Sequence, residues 1–154
     1  MILPMQMRLS RSTIAALLAL ALWFGLDFIG LRRLVDKEPL VSLAGLMLAL
    51  LVAFFVAGAL QFRYAAPPYV LSLLVWLALQ IQTHWSSYLL PASQAKLHWY
   101  DRVFGEHIRV LPVLPARTTP DAFHTVLAVL ILVNLILATF DIFRRTPSPS
   151  VASQ

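Results

Sequence analysis

Asp27, His84 and His124 are the residues of this chain best placed to do chemistry. Each sits in an apolar stretch close to one of its ends. An ionisable group in such a stretch is costly unless it is paired or used. Gln80, Thr83 and His84 are separated by steps of three and four, which puts them on one helix face. In an antiparallel arrangement of helices, Asp27, His84 and His124 reach a similar depth on the same side. Asp27 and His84 are therefore expected to meet, since a carboxylate and an imidazole satisfy each other and favour each other's charged form.

Four kinds of chemistry fit these groups. A polar network can pin helices together. Asp27 and His84 can relay a proton during transport or catalysis. His84 and His124 can bind a haem between two helices, as axial ligands. A divalent ion can be held by the same two histidines with His98, His107 or Glu106 from the loop between them. None of these has a diagnostic spacing. The four histidines lie 14, 9 and 17 residues apart, and no H-E-x-x-H segment occurs. No metal ligand set is assigned, and the cofactor question is left open. Ser86 and Ser87 lack the glycine-rich elbow of a serine nucleophile, and no glycine-rich phosphate loop is present. The chain has no cysteine, which excludes disulfides and thiolate chemistry.

The elements that must position these groups are apolar runs at residues 14–31, 40–62, 67–90 and 121–143. About 20 apolar residues cross a bilayer as a helix, so four spans are predicted. Ala19 and Ala21 offer a small-x-small cleavage pattern, but it falls inside the first run with no polar stretch after it. That run is expected to stay as a span. Pro39, the Pro67–Pro68 pair and Pro120 suit the first turn of a helix. Thr119, Pro120 and Asp121 read as cap, first residue and first-turn acid. Gly45, Ala49, Ala53 and Ala57 recur every fourth residue and are expected to pack inside the bundle. Between the last two spans, Leu97, Tyr100, Val103 and Phe104 share a face, which predicts a short helix over 96–104 lying along the membrane interface.

Composition agrees. Of 154 residues, 60% are hydrophobic and only 12% charged, with a mean hydropathy of +0.79. Soluble domains carry roughly 25% charged residues. The basic residues are scattered among the apolar runs, so the high pI does not indicate nucleic acid; anionic lipid headgroups are the better match. The expected fold is a single all-α domain over 1–145, a polytopic membrane bundle of four transmembrane helices, with 146–154 a disordered tail. Five basic residues on the side of the termini face seven on the other, which does not orient the protein. Net charge favours termini in the cytoplasm of an inner or plasma membrane. Six of the seven acids and all four histidines lie towards the opposite side. The leading functional expectation is a small non-catalytic accessory subunit or assembly factor, with the lipid bilayer and a membrane protein as partners. The alternative is a membrane-embedded redox or acid–base enzyme, or a small proton-coupled carrier, using Asp27, His84 and His124.

Overall fold

The computed structural model describes residues 7–31, 33–35, 37 and 39–143. The expected tail at 146–154 and the loop residues 32, 36 and 38 lie outside them. The described residues are all-helical, apart from two isolated bridges, Leu31 with Val35 and Arg109 with Asp121. Five helices follow in order: α1 (Arg11–Ile29), α2 (Leu43–Ala59), α3 (Ala66–Leu89), α4 (Gln94–Phe104) and α5 (Ala122–Phe143). Three of them, α1, α3 and α5, are 19, 24 and 22 residues long and apolar enough to cross a membrane. The fourth apolar helix, α2, has 17 residues.

Local chemistry sets the ends. Ser10, Ser42 and Ser93 each accept a backbone N–H three residues on, from Thr13, Gly45 and Lys96, at 3.3, 3.1 and 3.3 Å. These are N-caps, which satisfy donors that the first turn leaves without a partner. Gly30 ends α1 at a φ of 72°, a conformation that costs a side chain little only in glycine. Helix α5 starts two residues later than the Thr-Pro-Asp pattern predicts, at Ala122. Asp121 is its cap rather than a first-turn residue, because its carboxylate turns back to the His124 N–H at 2.8 Å.

Helix α5 packs against both α3 and α1, and α2 lies against α1. Leu17, Leu20, Leu73, Leu127 and Ile131 form the dry centre, all essentially inaccessible. Asn134 fastens this centre. Its Nδ2 donates to the Ala16 carbonyl of α1 at 3.0 Å, and its Oδ1 accepts from the Tyr69 hydroxyl of α3 at 2.7 Å. The small-residue face of α2 is only partly inside: Ala57 packs against the core and Gly45 is half-buried. Ala49 and Ala53 are exposed, whereas Leu51 and Gly58 are buried. Gly58 is the true point of close approach: a Cβ there would stand 3.0 Å from Ile14 and 3.2 Å from Leu9. Helix α2 thus meets α1 through a neighbouring face.

Candidate functional site

The segment ahead of α5 is held by backbone bonds. The Ile108 N–H donates to the Arg33 carbonyl at 2.8 Å, and the Ala122 N–H to the Ile108 carbonyl at 2.7 Å. This brings His107 beside Asp121, at the mouth of the helices. Asp121 is fully buried. Its Oδ2 meets His107 Nδ1 at 3.0 Å, and its Oδ1 meets His124 Nδ1 at 2.9 Å. One carboxylate thus orients two imidazoles.

Burial by itself pushes the Asp121 carboxyl up. The His124 side-chain hydrogen bond and charge, the His124 backbone N–H and the His107 ring outweigh it and hold the group at about 2. Asp121 precedes the apolar span of α5 and is a carboxylate at neutral pH. A carboxylate only accepts, so both histidines carry a hydrogen on Nδ1. In the His124 ring this leaves Nε2 as the nitrogen for proton exchange.

His84 comes from a wide turn. Residues Ile81–Trp85 of α3 form a π segment, with the Ser86 N–H bonded to the Ile81 carbonyl. Such turns are rare and recur at functional sites. This one sets the His84 ring on that of His124, centroids 3.7 Å apart and planes 22° from parallel. His84 Nδ1 shares a hydrogen with the Tyr100 hydroxyl at 3.1 Å. Phe104 touches all three rings, at 5.3 Å from His84, 5.4 Å from His124 and 5.8 Å from His107. Tyr100 and Phe104 are one helical turn apart on α4, so the amphipathic face predicted for that helix forms a lid of aromatic rings over the histidines. Burial pushes the Tyr100 hydroxyl up from its ordinary range, which keeps it a neutral hydrogen-bonding group.

Beside this cluster is a cavity of about 310 Å³. Asp27, His107 and His124 supply its ionisable lining, with Phe104, Val35 and Ser42. Asp27 is buried here, 8% exposed.

The three residues singled out from sequence thus converge. His84 stacks on His124, and its Nδ1 bonds the Tyr100 hydroxyl. Asp27 shares the cavity with His124. Gln80 is buried but lines another cavity with Thr83, Phe24 and Trp76. His98 and Glu106 are exposed. Asp121, Tyr100 and Phe104 are the members that spacing did not identify, and His107 enters from sequence only as a metal-ligand candidate. The three-residue step from Asp121 to His124 was the available signal, hidden by the reading of Asp121 as an ordinary first-turn acid.

The geometry bears on the cofactor readings. A haem iron lies between two axial nitrogens that point at each other. Rings stacked face to face at 3.7 Å direct their nitrogens alongside one another, so His84 and His124 as arranged do not fit one iron. Among the described residues, no three His, Asp or Glu side chains are grouped to hold a metal ion. What the arrangement can do is acid–base chemistry. His124 Nε2 can take a proton while Asp121 steadies the imidazolium through Nδ1, the division of labour of a carboxylate–histidine dyad. No family model matches this chain, and no curated protein or solved structure matches it either.

Proposed function

We propose that this chain is a small four-span membrane protein whose polar end is an acid–base site for a small polar molecule entering the Asp27–His107–His124 cavity. The observation that carries this is the buried Asp121 carboxylate holding two imidazoles by Nδ1, one of them stacked on a third histidine. A structural cap needs one acceptor for one N–H. Two further imidazole bonds and a cavity alongside exceed that need. Histidine is the side chain suited to moving protons near neutral pH. In this reading His124 is the acid–base residue, Asp121 and His107 position and polarise it, and Asp27 faces the bound molecule.

The membrane setting rests on the three long apolar helices and on their outward faces. Leu22, Leu71, Val129, Ile136 and Phe140 are among many large apolar side chains that are more than half exposed. Water does not tolerate so much contiguous apolar surface. Helix α2 completes the bundle as a short fourth span, at the lower limit of roughly 17–25 residues for a crossing. Helix α4 then lies along the interface, with Trp99 at headgroup depth, and both termini face the cytoplasm.

A second reading, a non-catalytic accessory subunit or assembly factor, is favoured by α2. Only Leu51 and Gly58 are buried on it, and exposed Ala49 and Ala53 would let a helix of a partner approach closely. One experiment separates the two. In cells deleted for the gene, Asp121→Asn and His124→Gln proteins present in the membrane at normal level are expected to leave the defect uncorrected. Full rescue by both would remove the acid–base reading. Stoichiometric co-purification of a partner, lost on Ala53→Leu, would then establish the other.

A further inference from the structure

A second cavity, of about 270 Å³, lies on the other side of α4, and its lining is unusual. Arg109, Arg117, Thr118 and Thr119 face it, together with His98 and Asp101. Thr118 and Thr119 are each only 3% exposed, and among the described residues neither hydroxyl has a hydrogen-bond partner. Arg109 Nε is likewise buried without one. Buried polar groups are nearly always satisfied, and leaving one without a partner is costly. Three such atoms belong to residues that line one cavity, just behind its surface, and this points to a ligand there.

The donors define its chemistry. A guanidinium only donates, and a hydroxyl can donate, so the ligand must offer several acceptor oxygens. Charge points the same way. Two arginines face one carboxylate, Asp101, whose side chain is 78% exposed and pairs with Arg109 Nη2 at 3.2 Å. Arg117 is anchored, since its Nη1 donates to the Tyr88 and Leu89 carbonyls at the end of α3. Its charge is thereby fixed in place. Planar guanidinium groups are the usual recognition element for phosphate oxygens.

We propose that this cavity binds a phosphate group, with Thr118, Thr119 and Arg109 Nε as donors and Arg117 as the fixed counter-charge. The assignment does not depend on the acid–base reading; of the residues above, only Tyr100 borders both sites. Two sources carry this chemistry, free inorganic phosphate and the headgroup of an acidic phospholipid.

The test uses the full-length protein purified in a maltoside detergent, which contains no phosphate. Inorganic phosphate and a short-chain, water-soluble phosphatidic acid are titrated separately by calorimetry. At least one is expected to bind saturably. Thr118→Val/Thr119→Val, which keeps side-chain shape, is expected to weaken that binding at least about tenfold, since bonds to charged groups are being removed. The same double variant is expected to raise the thermal stability of the ligand-free protein, because two orphaned hydroxyls are gone. A merely structural role for the threonines gives the opposite sign. Binding of inorganic phosphate identifies a free anion, and binding of phosphatidic acid alone identifies a lipid headgroup. Failure of both to bind, or binding that the double variant leaves intact, overturns the proposal.

Discussion

The two ends of α5 each carry a buried aspartate, and the two are put to different use. Asp141, in the last turn, accepts from the Ser10 N–H at 2.8 Å and the Thr13 hydroxyl at 2.6 Å. A carboxylate there opposes the helix dipole, and these two donors offset that cost while clamping the start of α1 to the end of α5. Asp121, at the other end, has the dipole in its favour and a backbone N–H already bonded. It nevertheless takes on two imidazoles. Among the described residues, every buried side-chain polar atom without a partner belongs to the Asp121 half: Gln80, Trp85, Arg109, Thr118 and Thr119. A satisfied carboxylate among neutral donors is a fastening. One among ionisable rings, cavities and orphaned donors is what the proposed site rests on.

The largest expected effect breaks the site. Asp121→Asn keeps one acceptor but turns an amide N–H₂ towards the second imidazole, where a donor already points. A loss of about 2–3 kcal/mol is expected, the scale of a hydrogen bond to a charged group left unmade. It should depend on pH in a defined direction. The folded carboxyl is held at about 2, below its ordinary 3.8, so its contribution is whole above pH 3.8 and is lost as pH falls through 2. Equilibrium unfolding of the two proteins should show a wide gap at pH 7 that closes near pH 2. A gap independent of pH would mean that the carboxylate charge is not what holds the imidazoles.

Asp141→Asn should cost less, about 1 kcal/mol. Its amide oxygen still accepts from Thr13 or Ser10, and no second titratable group is disturbed. The deletion defect should be corrected in full by this variant. If it fails as Asp121→Asn does, at equal abundance, the distinction between fastening and site collapses.

The helices follow from pattern alone at both ends of the bundle, and the surroundings of Asp121 do not. The apolar runs locate the helices to within a few residues, and the face Leu97–Tyr100–Phe104 anticipates α4, found at Gln94–Phe104. A common depth for His84 and His124 follows from counting residues along antiparallel helices. Their partners do not. Which groups surround them is decided by residues 105–121, which fold back through backbone bonds such as Ile108 to Arg33 and Ala122 to Ile108. Backbone pairing of this kind leaves no periodic mark. The π segment at Ile81–Trp85 is invisible for the same reason, since nothing in Ile-Gln-Thr-His-Trp forbids an ordinary turn. The outward placement of Ala49 and Ala53 shows a further limit of pattern: a small-residue stripe says that helices can approach there, not that they do.

The smallest expected effect sharpens the comparison by striking between the two ends. Tyr69→Phe removes the hydroxyl that donates to Asn134 Oδ1 at 2.7 Å and leaves that oxygen without its α3 partner. In water-soluble cores such a loss costs ~1 kcal/mol or more. Between membrane helices the average is nearer 0.6 kcal/mol, because the separated helices also find partners for their polar groups. Asn134 keeps both Nδ2 bonds, to Ala16 and Leu130, so α1 and α5 stay joined and only α3 is loosened. His84 is carried by α3, and this makes the variant informative. If the π turn and the α4 lid hold His84 locally, through Tyr100 and Phe104, the imidazole signals of His84 and His124 in a ¹⁵N NMR spectrum should not move. If those signals shift as far as they do in Asp121→Asn, the histidine stack depends on the whole of α3 being seated, and the polar end is not an independently built site.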